Sequence, residues 1–341
     1  MNNLNTAAPA RRLLLALASL KLTLAIFLVL VAGIGIIYFS NIRFVWALAV
    51  PFTAFAVNLG AAVLTNPVFR RQTALLVFHL ALITIVLLIA VGRLTYFKGH
   101  TEIVEGEVFS RNMVFEESGP WHPGHLDALR FSNDGFTISY ASTMKRGVTR
   151  NQVTWTKPDG GTGQSIIGDQ YPLLLEGYRI YATANKGFAP VFRWRPDNGP
   201  EQTGAMHLPS YPRLQYKQIN EWQPPGSQVK LWIMLPINEV LLAPDQPSEF
   251  RLPTNHQLVV RLGEERHMLN PGESLRLPDG ELTYLELRKW MGYDMSYDFT
   301  LPWLLAASIL AVLSMAWHFW QKFSAKPWNS EATAKENQGA E

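Results

Sequence analysis

Residues 74–91 read ALLVFHLALITIVLLIAV, a run with no charged residue and a single histidine, His79. At about 1.5 Å of rise per residue, a helix of this length spans most of a hydrocarbon core about 30 Å thick. Three more stretches share this character, at residues 20–39, 44–64 and 301–320. Together they predict three membrane helices, a long intervening segment and a fourth helix. Arg11 and Arg12 precede the first stretch much as in a signal peptide, but its apolar run is too long and a second span follows at once. It reads as a retained helix, with Lys21 reaching the nearby interface.

The chain has 341 residues, of which 48% are hydrophobic and only 17% charged. That charged share lies below the roughly 25% usual for soluble domains, as concentrated apolar segments require. There is no cysteine, which excludes disulfides, thiolate-ligated metal and thiol catalysis. The net charge of +3 divides unevenly along the chain. Residues 1–96 carry Arg11, Arg12, Lys21, Arg43, Arg70, Arg71 and Arg93 with no acid, whereas residues 97–298 carry 20 basic and 24 acidic residues. The basic excess flanks apolar spans and forms no nucleic-acid surface, so no nucleic-acid partner is expected.

Positive charge in short loops sets orientation. Arg11, Arg12 and Lys21 precede span one, Arg70 and Arg71 separate spans two and three, and Lys322 and Lys326 follow span four. If all four segments cross, these clusters share the cytoplasmic side, both termini are cytoplasmic and residues 97–298 lie outside. Trp303 at one end of the last span, and Trp317, Trp320 and Trp328 at the other, suit interfacial belts. The predicted division is a three-helix region at 1–96, an external β domain at 97–298, a fourth helix at 299–323 and a disordered cytoplasmic tail at 324–341.

Within 97–298 the pattern changes to period two. Phe136, Ile138 and Tyr140 alternate with Thr137 and Ser139, as a half-buried strand requires. Residues 229–234, 258–262 and 282–287 are further strand candidates. Turn chemistry at 133–135 (NDG), 158–161 (PDGG) and 278–280 (PDG) separates such strands. Short strands so punctuated predict an antiparallel sandwich or barrel-like domain.

His79 draws most attention, because an ionisable side chain inside a span is costly and marks a functional hypothesis. A neutral imidazole can ligate iron while its other nitrogen donates a hydrogen bond; the alternative is a packing histidine bonded to a neighbouring helix. His318, between Trp317 and Phe319, falls at a similar depth, so a second ligand from this chain is conceivable beside the plainer reading of an interfacial belt. Outside the spans, His122 and His125 flank a Pro-Gly pair near Glu116 and Glu117, a weak zinc signal without a third ligand. No phosphate loop or nucleophile elbow appears, so no catalytic residue is assigned and no metal is expected beyond iron at the histidines of the spans. The aromatics of 211–222 are candidates for an external contact, with the core as their commoner fate.

The order of these parts resembles the ResB (CcsB) proteins of System II cytochrome c biogenesis. The resemblance is carried by LASLKLT (17–23) at the first helix, FHL (78–80) followed by an aliphatic helix and TEIVEGE (101–107), and DQYPL (169–173) with GYRIY (177–181). The last helix is reached through YDFTLP (297–302), where that family usually shows Asp-Pro-Gly. The resemblance implies a multi-pass protein of the bacterial inner membrane that pairs with a ResC/CcsA-like multi-helix protein bearing a Trp-rich haem loop. It implies haem b as bound or transported substrate, apocytochrome c as client, and His79 as an axial ligand with the partner supplying the other. The chain itself would be a non-catalytic subunit of a cytochrome c synthase. The competing expectation is a membrane-anchored scaffold whose β domain binds a client while His79 only packs.

Overall fold

The computed structural model describes residues 7–40 and 44–324. Arg43, Lys326, Trp328 and the tail expected to be disordered, beyond Ser324, lie outside the described residues. The chain divides into two compact units, one formed by the helices with residues 118–123, the other by the strands.

The helical unit holds α1 (Ala7–Leu17), α2 (Leu20–Ser40), α3 (Trp46–Thr65), α4 (Val68–Arg71), α5 (Thr73–Thr95) and α6 (Leu301–Ser324). Of these, α2, α3, α5 and α6 are long and apolar enough to cross a bilayer, which makes this a membrane protein. Helix is the local solution because lipid offers backbone groups no partner. Helices α2 and α3 run antiparallel, with Gly33 beside Ala47, Phe27 5.0 Å from Phe55 between ring centroids, and Thr23 bonded to Asn58. A Cβ at Gly33 would stand 2.7 Å from the Ala47 carbonyl oxygen. Four residues on from Ala47 is Pro51, which has no N–H to donate to that carbonyl. Glycine and proline thus act together, freeing a carbonyl and letting the neighbouring backbone approach it.

Asn58 is buried deep in α3 and holds the break between α1 and α2. Its Oδ1 accepts from Thr23 at 2.7 Å, and its Nδ2 donates to the carbonyls of Leu17 and Ser19. Helix α6 begins with its own cap: Asp298 Oδ1 accepts the Thr300 amide at 2.9 Å and its hydroxyl at 2.6 Å. Thr300 O then accepts the amide of Leu304, and Pro302 occupies the first turn. The YDFTLP stretch is therefore a helix start built from Asp-x-Thr.

Residues 118–123 close the far end of α5. Gly119 N–H bonds Tyr96 O at 2.9 Å, Trp121 N–H bonds Leu94 O at 2.8 Å, and His122 Nδ1 lies 3.1 Å from Thr95 O. These donors satisfy the carbonyls a helix leaves open at its C-terminus. Gly119 is required there, since a Cβ would fall 2.2 Å from Leu94 O. Trp121 stands edge-on to Trp46 at 5.9 Å.

The β unit contains β1 (Phe97–Val104), β2 (Met113–Ser118), β3 (Arg130–Tyr140), β4 (Arg146–Thr156), β5 (Thr162–Ile167), β6 (Leu173–Leu175), β7 (Tyr178–Pro196), β8 (Gln202–Ala205), β9 (Ile219–Trp222), β10 (Leu231–Met234), β11 (Ser248–Glu249), β12 (Leu258–Leu262), β13 (Glu265–Leu269), β14 (Ser274–Leu277) and β15 (Gly280–Tyr297). They form three antiparallel, sandwich-like sheets and no closed barrel. The first is ordered β2-β1-β15-β7-β6, with β14 on β15 and β8 on β7; the others run β13-β12-β10-β9 and β11-β3-β4-β5. The core gathers Trp194, Tyr178, Tyr284, Tyr293 and Phe131 from these sheets. Phe136, Ile138 and Tyr140 point inward as their alternation predicts.

One expected turn is corrected. Residues 133–135 lie inside β3 as a bulge, where the pairing with β4 skips between Asn133 and Phe136. Asn133 Nδ2 bonds Ile103 O at 2.9 Å, and Asn151 Nδ2 donates to Asn133 Oδ1 at 2.8 Å and to Gly135 O at 2.9 Å. The Tyr293 hydroxyl donates to Asn151 Oδ1 at 2.8 Å. With these buried partners the chain continues along the ladder where its local signals say turn. The turns at 158–161 and 278–280 stand as expected, between β4 and β5 and between β14 and β15.

Candidate functional site

His79 sits in the second turn of α5, half-buried, with its ring edge-on to Phe69 of α4 at 4.6 Å and to Phe78 at 5.2 Å. The helical spacing of four puts its Nδ1 2.8 Å from the Leu75 carbonyl. A carbonyl only accepts, so Nδ1 donates, and in a neutral ring with that tautomer Nε2 is the nitrogen that keeps a lone pair. No hydrogen bond to Nε2 is made among the described residues. A backbone carbonyl orienting one ring nitrogen while the other stays open is the arrangement of a metal-ligating histidine. The rings of Phe69 and Phe78 give the imidazole an apolar setting.

His79 lies on the side of α5 away from α6. Helix α5 turns Val77, Ala81 and Thr84 toward Trp303, Ala306 and Ala307 of α6 across a crevice of about 420 Å³, and position 79 is about 200° around the helix from both 77 and 81. His318 lies near the other end of α6, with its ring 5.6 Å from Phe319. No ring contact or hydrogen bond joins His79 to His318 among the described residues. The two histidines of the spans are not brought together.

The weak zinc signal also finds a structural use. His122 Nδ1 is engaged at the end of α5, and no group of three or more His, Asp or Glu residues able to hold a metal occurs among the described residues. Of the aromatics at 211–222, Tyr211 is buried, Trp222 stacks on Phe192 at 5.3 Å, and Tyr216 is 89% exposed.

Two features had no sequence signal. Lys186 in β7 is only 1% exposed, and its Nζ donates to the Tyr140 hydroxyl at 2.6 Å between the rings of Tyr140 and Phe250. Burial pulls this amine down to about 8. His100 in β1 faces Asp294 directly across the ladder, with Nδ1 2.7 Å from Asp294 Oδ1 and Glu102 4.0 Å from Nε2. The Asp294 hydrogen bond raises the His100 pKa above its ordinary value against the opposing effect of burial. Only pairing between strands far apart in sequence assembles these groups.

No curated protein matches the chain. Residues 68–323 match the model of the ResB-like family, which covers about three quarters of the sequence, from α4 through the whole β unit to α6. His79 and the whole β unit fall inside the match, which α1, α2 and α3 precede, and the general role that follows is one in cytochrome c biogenesis. The chain belongs to the ResB-like family.

Proposed function

We propose that this protein is the ResB-like subunit of a complex that exports haem b and attaches it to apocytochrome c. His79 serves as one axial ligand to the iron of that substrate. The observation that carries the reading is the His79 ring itself: Nδ1 is committed to Leu75 O, Nε2 makes no hydrogen bond among the described residues, and Phe69 and Phe78 stand edge-on to the ring. Neutral imidazole with a fixed tautomer is what axial ligation requires. The opposite ligand comes from a ResC/CcsA-like partner with a Trp-rich loop, since His79 lies on the side of α5 away from α6, the helix that carries His318. This chain then contributes a ligand and a docking surface, without catalysing thioether formation alone.

In this reading the protein lies in the bacterial inner membrane with both termini cytoplasmic and residues 97–298 periplasmic. Arg70 and Arg71 in the last turn of α4 and Lys322 in the last turn of α6 support that orientation. His79 then sits near the cytoplasmic leaflet, where haem made in the cell arrives.

The test is the visible spectrum of the complex purified with its partner. His79→Gly should lose most of the Soret absorbance, and added imidazole should restore it by filling the vacated position. Unchanged haem content and cytochrome c yield in that variant would leave a membrane-anchored scaffold whose β unit binds a client.

A further inference from the structure

Helix α3 presents a second stripe beside the one that meets α2. Ala47, Phe55 and Asn58 face α2. Next to them Trp46, Val50, Thr53 and Val57 recur at i, i+4, i+7 and i+11, which puts them on one line over three turns. This line floors a groove of about 590 Å³. Leu17 of α1 with Leu22 and Ile26 of α2 wall it at the Val57 end, while Leu94 of α5 and Trp121 close it beside Trp46.

From Trp46 to Val57 the groove runs about 16 Å, half of a hydrocarbon core about 30 Å thick, so it belongs to one leaflet. Between its ends the walls are aliphatic but for Thr53, whose hydroxyl donates to Ala49 O at 2.8 Å. Free polar groups gather at one end only. The indole N–H groups of Trp46 and Trp121, whose rings stand edge-on, make no hydrogen bond among the described residues. Arg93, in the last turn of α5 beside Leu94, is exposed and has no ion pair among the described residues. No acidic residue occurs in residues 1–96 to neutralise it.

An apolar slot with donors and a cation at a single end has the polarity of a lipid. A transmembrane helix is too thick to enter it, since a cylinder about 10 Å across and about 16 Å long fills about 1,200 Å³. No His, Met, Tyr or Lys lines the groove, so haem would find no ligand there. We propose that the groove holds one acyl chain of an anionic phospholipid, with the phosphate at the end marked by Trp46, Trp121 and Arg93. The bound chain completes the packing of α1 and α2 on α3, alongside the break that Asn58 holds. The proposal stands whether or not His79 binds haem.

The test is native mass spectrometry of the full-length protein released from nanodiscs that contain equal amounts of palmitoyl-oleoyl phosphatidylglycerol and phosphatidylcholine. The wild type should retain one lipid, with phosphatidylglycerol favoured about fivefold, the preference that one arginine near the headgroups supplies. Arg93→Gln, at an exposed position, should abolish the preference. Ala54→Phe, which puts a ring into the groove, should lose the retained lipid while the circular dichroism stays that of the wild type. Equal retention of the two lipids by the wild type, or no retained lipid, would overturn the proposal without reference to any variant. So would displacement by decylubiquinone, which would make this a quinone site, or loss of the lipid in the complex with a partner protein, which would make it an interface.

Discussion

The helical and β units both bury polar side chains, and they satisfy them at opposite ranges of sequence. In the helices most partners lie four residues back: Thr53 on Ala49 O, Thr65 on Ala61 O, Thr84 on Leu80 O, Thr95 on Val91 O and His79 on Leu75 O. Asn58 is the departure, reaching back 41 residues to Leu17. In the β unit distance is the rule, with Tyr293 on Asn151 across 142 residues and Lys186 on Tyr140 across 46. A helix in lipid must settle its own polar groups, whereas a sheet can borrow a partner from any strand the topology delivers. Disturbing a β-unit partner should therefore cost more than disturbing a helical one, and four experiments on the full-length protein in detergent can break or sharpen that contrast.

Lys186 should give the largest effect. Its pKa lies near 8 in the fold against an ordinary 10.5, so the unfolded chain binds more protons than the folded one between these values. Stability should rise with pH across that window by about 3 kcal/mol. Lys186→Met should flatten the rise in unfolding followed by tryptophan fluorescence; a slope that persists would mean the amine is not enclosed. Next comes Asn151→Leu, which strands the Tyr293 hydroxyl and the Gly135 carbonyl and should cost about 3 kcal/mol or somewhat less. A loss below 1 kcal/mol by chemical denaturation would show that the bulge in β3 holds without its buried amide.

Asn58→Leu should be milder, at about 1 kcal/mol, because polar contacts between membrane helices are modest in net worth. Its signature should be protease sensitivity near the Ala18–Ser19 break, and a cost above that of Asn151→Leu would invert the comparison. The smallest effect belongs to His100. A raised folded pKa contributes stability that is full below about 6.5 and is lost as pH rises through the folded value. His100→Gln should remove that dependence; a slope of the opposite sign would mean burial outweighs Asp294.

The same contrast explains what could be read beforehand. The four spans are expected at 20–39, 44–64, 74–91 and 301–320, and occur as Leu20–Ser40, Trp46–Thr65, Thr73–Thr95 and Leu301–Ser324. Continuous apolarity and lipid leave the backbone little choice. The short helices α1 and α4 have no such run and were not expected. Strand β12 appears at the expected residues, but 282–287 is only part of the 18-residue β15. The 19-residue β7 runs through Asn185, Lys186 and Gly187, with a register shift against β15 between Met291 and Tyr293. His79 was legible as an ionisable residue in an apolar run. The His100–Asp294 pair was not, because strands far apart in sequence bring the two together.

Strand β15 lies between β1 and β7 in its sheet, yet of all described strands it is the last to leave the ribosome. Until it emerges, β1 and β7 have no common neighbour and both keep long unpaired edges. Assembly of this sheet thus waits for nearly the whole β unit to be translated, and the nascent chain needs shielding from edge-to-edge association during that interval.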